Sequence, residues 1–401
     1  MTIRFTRILA LVMCTSMLML SSCTGRKIKN EEVDYPIPVF DISASGDGIL
    51  YKDQLLYYFD YDNKTAIPFC AQPNCMHDTE DCPALNHYDA YLIVDKKLYA
   101  FEPTSNKQID EDTWHEQANL IMADIGGTNK KVLATFDGNL MFTGAPPRDS
   151  NIYYYKNSIY FVTSSLEIKE GISTNYSIWY AYCYDIHKNT LTKLGELCSG
   201  YNSLVKVQGM IEDKLYYYAH FSDKDVDYKD YINEDDFFAE LDKYLKEENS
   251  YLDLLTGEIH DSDLPNVTYE SRIFAGYYFY NNDKNEFIAR RLKDNIEIKI
   301  FEEPCSYYYW AGDRLMFFID ETSAEKSDFE WESSIYYWIP NTNKIEQIPN
   351  RTDGIIFSPF IMKDEYFYGI ATYPEEQGIP YLSYAKIEDL TEKDYEITKV
   401  E

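Results

Sequence analysis

The chain has 401 residues, 45% of them hydrophobic and 16% aromatic, with 39 Tyr. That is enough apolar material for a large core, which excludes a disordered chain and a disulfide-dependent miniprotein. With 37 Lys and Arg against 68 Asp and Glu the formal charge is -31, so phosphate backbones are repelled and nucleic acid is not expected as a partner.

Arg4 and Arg7 precede an almost wholly apolar run at 8–20. The run is too short to cross a bilayer core as a helix, which takes about 20 residues. It ends in Leu20-Ser21-Ser22-Cys23, which resembles the lipobox of bacterial lipoproteins: an aliphatic residue, two small ones, then the cysteine that is acylated. The other reading is an ordinary secretory signal cut near Ser22. Residues 1–22 are accordingly read as a lipoprotein signal peptide and Cys23 as the lipidated N-terminus, whose two palmitate-like chains suffice for stable anchoring. Residues 23–35, with Arg26, Lys27 and Lys29, form a polar tether suited to anionic lipid. The body at 36–401 is expected on the extracytoplasmic face of a bacterial cell membrane, touching lipid through the anchor only.

From about Pro36 onward a loose repeat runs through the chain. Polar turns are followed by Tyr-heavy strands at Gly48-Ile49-Leu50-Tyr51, Lys97-Leu98-Tyr99-Ala100, Ser158-Ile159-Tyr160-Phe161, Lys214-Leu215-Tyr216-Tyr217, Gly276-Tyr277-Tyr278-Phe279, Arg314-Leu315-Met316-Phe317 and Glu365-Tyr366-Phe367-Tyr368. Second hairpins follow, as at Tyr58-Phe59-Asp60-Tyr61-Asp62-Asn63-Lys64-Thr65. The spacing predicts an all-β fold, a seven-bladed β-propeller with six or eight blades as the alternatives. Strands apolar on both faces, such as Leu55-Leu56-Tyr57-Tyr58-Phe59, fit stacked radial sheets rather than a two-layer sandwich. The N-terminal strand around 39–42 is expected to complete the blade formed by the C-terminus. Runs such as Tyr153-Tyr154-Tyr155 and Tyr307-Tyr308-Tyr309 are read as packing between blades, with a stacking platform for sugars as the alternative.

One dense constellation could carry chemistry. Cys70-x4-Cys75-x-His77-x4-Cys82 gathers three thiols and an imidazole, and His87 follows five residues later. Such a loop, wrapped by Pro73 and Pro83, could close a tetrahedral structural zinc site. Outside the cytoplasm a local disulfide with a thiol left over is equally consistent, and a redox or catalytic centre is the third reading. Further along, a tight turn at Lys188-Asn189 would pair Cys183 with Leu194 and leave Cys198 out of disulfide reach. Residues 233–248 carry Phe237, Phe238, Leu241, Tyr244 and Leu245 at helical spacing behind an Asn233 cap, so one helical insertion is predicted there. Cys305, at a strand start, reads as a buried thiol.

No catalytic motif is complete. There is no Gly-x-Ser-x-Gly elbow, Ser45-Gly46-Asp47-Gly48 lacks the later Gly and Trp of a sialidase aspartate box, and Asp60-x-Asp62 lacks the rest of an EF-hand loop. The lipobox, the Tyr-rich repeats and the Cys/His loop together resemble the uncharacterised propeller lipoproteins of Gram-positive anaerobes, loosely related to TolB-like propellers. That resemblance implies the address and the fold, and no ligand. Two functions follow as expectations. One is a non-enzymatic surface module binding a glycan, peptide or envelope protein through loops at one mouth of the ring. The alternative is a polysaccharide-processing hydrolase or lyase using paired carboxylates near the channel.

Overall fold

The computed structural model describes residues 35–401 except 40–42, 45–46, 53, 80, 86–87, 89, 105–106, 109–112, 141–149, 170–171, 232, 321–332, 377–379 and 401. Cys23 and the segment expected to be a lipoprotein signal therefore lie outside the described residues. Residues 35–401 cluster as one unit, and no helix among those described is long and apolar enough to cross a membrane.

The described strands are antiparallel and arrange themselves into four-stranded meanders in chain order. The first comprises Ser43–Ala44, Gly48–Lys52, Leu56–Asp60 and Thr65–Pro68; the second comprises Ala90–Val94, Lys97–Pro103, Gln117–Asp124 and Lys131–Asp137. A ten-stranded sheet follows: two meanders share one long strand, Thr190–Ile211, and Ile37–Pro38, Lys107–Gln108 and Thr113–His115 are paired onto them. Up to Tyr201 that strand pairs with Ile172–Asp185, and from Tyr201 onward it pairs with Lys214–Ser222. The third meander is thus Ile152–Tyr155, Ser158–Lys169, Ile172–Asp185 and the first half of the shared strand. The fourth is its second half with Lys214–Ser222, Leu245–Asp253 and Ile259–Asp261. The fifth (272–301), sixth (307–348) and seventh (356–399) are separate four-stranded sheets, which makes seven meanders among the described residues.

The second to seventh meanders each open on a two-residue turn whose chemistry selects the hairpin. Asp95 and Lys96, Lys156 and Asn157, and Ala275 and Gly276 all have positive φ, the left-handed pair that matches the twist of the flanking strands. The strands that the sequence marks as starting each repeat are therefore the second of four. The strand before each turn, for example Tyr307–Ala311, precedes them.

Apolar packing runs between neighbouring meanders rather than within them. Successive residues of a strand point to opposite faces, so Tyr153 packs with Val162, Trp179 and Val207 towards the fourth meander, while Tyr154 packs towards the second with Phe161 and Phe136. The consecutive tyrosines are packing residues, as the sequence suggests. Seven clusters of this kind cover the junctions first–second, second–third and so on to sixth–seventh, and one of them joins the seventh meander to the first: Ile49, Phe59 and Tyr61 with Tyr368, Leu382 and Val400.

Two expectations are corrected. The N-terminal segment does not complete the last meander: Ile37–Pro38 pairs with Ile152–Tyr155 and the Val39 N–H donates to the Ile152 carbonyl at 2.9 Å, while residues 40–42 lie outside the described ones. The seventh meander supplies its own fourth strand, Thr398–Lys399. The insertion predicted at 233–248 is a helix only over Glu234–Leu241. Asn233 caps it by accepting the Asp236 N–H at 2.9 Å, but from Leu245 the chain is a strand paired with Lys214–Ser222. Sheet pairing overrides the helical spacing there.

Candidate metal centre

The Cys/His loop leaves the fourth strand of the first meander at Pro68 and reaches the second at Ala90. Phe69 is fully buried and fixes the entry, and Cys82, Ala84 and Tyr88 are buried at the exit. Between them the loop is short of apolar material: Met76 is 80% exposed, and Gln72, Pro73 and Asn74 face solvent. Its shape comes from backbone geometry instead. Asn74 and His77 are left-handed, with φ of 59° and 57°, which is rare for residues with a side chain and turns the chain back on itself twice. The Ala71 N–H donates to the Gly126 carbonyl at 3.0 Å and Gln72 Nε2 donates to the Asp81 carbonyl at 3.2 Å, so the loop is tied both to the second meander and to its own far end. Gly126 and Gly127, at φ 85° and 78°, form the turn beneath it. A Cβ on Gly126 would come within 2.8 Å of Ala71 Cβ, and one on Gly127 would overlap the Pro83 ring.

These constraints bring Cys70, Cys75, His77 and Cys82 together. One ligand atom from each lies within 4.8 Å of all the others, and His77 Nδ1 is 3.2 Å from Cys82 Sγ. Among the described residues it is the only group of three or more such side chains that converges. Cys70, Cys75 and Cys82 are free thiols. The geometry therefore gathers a ligand set and shows no disulfide within it; His87 lies outside the described residues.

Electrostatically the thiols are unlike. The backbone N–H of His77 points at the Cys75 sulfur and lowers its pKa. Burial pushes the Cys70 thiol up to about 11, partly offset by the Gln72 N–H. Backbone donors two residues on from Cys70 and Cys75 suit sulfurs that carry negative charge, the form in which thiols ligate metal. Three thiolates and one imidazole make a four-membered, closed set, and soft sulfur favours zinc over magnesium or calcium.

The other thiols stay apart. The Cys183–Cys198 hairpin has a different register from the one expected, with Cys183 opposite Thr192 and Cys198 opposite Trp179. The turn spans four residues, from Asp185 to Thr190, and two register breaks follow. Both thiols are free, as is the buried Cys305, whose sulfur donates to the Tyr307 and Phe318 carbonyls at 3.3 Å.

Motif reading missed a second feature. At the junction of the first and seventh meanders lies a cleft of about 430 Å³ lined by Asp47, Tyr61, Asp62, Lys64, Lys363, Asp364, Glu365, Tyr366 and Tyr368. Its two walls are some 300 residues apart in sequence, so no local spacing announces it.

No family model and no curated protein matches the chain. Among solved structures, it is similar over 98% of its length to 54% of a prolyl endopeptidase chain, at 9% identity and a TM-score of 0.48. The chain thus spans about half the length of that protein. A crystal structure of an uncharacterised protein from Listeria monocytogenes EGD-e aligns with 76% of this chain and 83% of its own, at 11% identity and a TM-score of 0.39. An oligogalacturonate lyase in complex with manganese aligns with 70% and 72%, at 11% identity and a TM-score of 0.38. Likenesses this weak carry nothing about substrate or activity.

Proposed function

We propose that the seven meanders are the blades of a closed β-propeller, held outside the cell membrane by lipid on Cys23, and that this propeller is a non-enzymatic binding module for an extracellular or envelope ligand. The observation that carries the reading is the seventh apolar cluster, in which Phe59 and Ile49 of the first meander pack against Tyr368 and Leu382 of the last. A ring closed in this way leaves only short, protected sheet edges and presents its loops as a rigid surface for recognition.

In this reading Cys70, Cys75, His77 and Cys82 hold one structural zinc, which replaces the apolar core that the loop lacks. Four protein ligands leave no open coordination position for substrate. Two experiments bear on the whole. Cys23→Ala should abolish fatty-acid labelling and release the protein from membranes; unchanged labelling would refute the anchor. Incubation with a panel of glycans should give no products, and product formation abolished by substituting one carboxylate would refute the binding role.

A further inference from the structure

We infer that the cleft between the first and seventh meanders is a binding site for an organic ammonium ion, and that the Lys64 ammonium occupies it as an internal stand-in. This goes beyond the anchored, non-catalytic reading and depends on neither part of it.

The first observation is a residue out of place. Five of the outer hairpins end their turn on one left-handed residue just before the last strand: Asn189 (φ 54°), Gly257 (75°), Asn295 (59°), Asn343 (52°) and Lys64 (53°). Asn and Gly tolerate that conformation, and a lysine there costs on the order of 1 kcal/mol. The rest of the turn is ordinary, with the Lys64 N–H donating to the Asp60 carbonyl at 2.9 Å and the Asn63 N–H to Asp60 Oδ1 at 2.8 Å. Lysine is also left-handed at Lys96 and Lys156, so what sets Lys64 apart is where its side chain goes.

That side chain reaches across the junction into a cage of tyrosines. Lys64 Nζ lies 3.6 Å from the Tyr366 ring centre, 4.4 Å from that of Tyr384 and 5.7 Å from that of Tyr368, and 3.4 Å from the Tyr368 hydroxyl. The Tyr366 and Tyr384 rings stand at 85° to one another, forming two walls. Aromatic faces in this arrangement attract alkylammonium groups, quaternary ones above all.

The space beside the ammonium points the same way. Asp47, Asp62, Asp364 and Glu365 line it against two lysines, so the cleft is anionic. Tyr61 lines it too and is only 8% exposed, its backbone N–H donating to the Asp47 carbonyl at 3.2 Å. The carboxylates do not converge on a point as metal ligands do, since the Cys/His group is the only such convergence described. A bulky cation of diffuse charge fits where a metal ion does not. A volume near 430 Å³ is that of a small-molecule site.

The test is calorimetric titration of the full-length protein in detergent with choline, and with 3,3-dimethyl-1-butanol, its uncharged isostere. Lys64→Asn restores the turn residue used elsewhere and empties the cage. It should keep the thermal midpoint of the wild type, bind choline about tenfold tighter and ignore the isostere. Adding Tyr366→Leu should remove that gain. In the unaltered protein, choline should make the Lys64 amine several-fold more reactive to acylation as it is displaced. A folded Lys64→Asn protein that does not bind choline, equal binding of the isostere, or Lys64 reactivity unchanged by choline would each overturn the inference.

Discussion

Asn74 and His77, both left-handed, do more for the Cys/His loop than any apolar contact within it, because they fold 13 residues back until four ligand atoms meet. The quartet is legible in sequence since all its members lie in one short segment; what sequence leaves open is zinc, a disulfide or a redox centre, and the convergence of four ligand atoms is compatible with the first. Purified without reductant or added metal, the protein should carry one zinc per chain by elemental analysis. His77→Ala and Cys82→Ser should each lose it and lower the thermal midpoint. Reduced thiols without metal would contradict the assignment. The turn beneath the loop offers an independent check. Gly127→Ala forces a side chain into the Pro83 ring at φ 78°, and should cost about 2 kcal/mol in stability while weakening zinc retention. Lys64 illustrates the converse: as a residue it is an unremarked turn lysine, and it becomes conspicuous only against Tyr366 and Tyr384 across the junction.

Elements were legible where local chemistry and tertiary pairing agree. The strands after each left-handed turn were visible as Tyr-heavy runs, but those before it, such as Arg272–Phe274 and Ile356–Lys363, were not read as the start of a unit because the polar turn looked like a boundary. The helical insertion shows the opposite failure. Its Asn233 cap is legible, yet the apolar spacing at Tyr244 and Leu245 suggests a helix where Leu245 pairs with Ser222. The helix packs in a small cluster of Val226, Phe237 and Leu241, with Tyr231, Tyr244 and Leu245 against it. Asn233→Ala removes one cap bond and should cost this segment about 1 kcal/mol. Hydrogen exchange should rise over 234–241 with the global unfolding midpoint unchanged; a matching drop in global stability would mean the helix is integral to the ring.

For the molecule as a whole, tyrosine is the principal packing material, and this sets its response to pH. Burial raises the phenol pKa values of Tyr180, Tyr184, Tyr278, Tyr368 and Tyr395 to about 12 from the ordinary 10.0. A folded state that holds protons which the unfolded chain gives up is fully stable below pH 10 and loses stability as the pH climbs towards 12. Alkaline titration should show cooperative unfolding in that window, with tyrosinate absorbance appearing in step with loss of structure; gradual ionisation without unfolding would contradict the burial described. The proposed ring closure can be suspected from the repeat but not located, because sequence suggests an N-terminal strand on the last meander, where Ile49 and Phe59 of the first meander instead pack against Tyr368 and Leu382. Phe59 is completely buried at that junction, and Phe59→Ala should cost about 3–5 kcal/mol. Native-state hydrogen exchange on this variant is the most direct probe of closure. Protection should fall together in Gly48–Lys52 and Leu56–Asp60 of the first meander and in Tyr366–Thr372 of the last. Loss confined to the first meander, with Tyr366–Thr372 as protected as before, would show that the ring is not closed there.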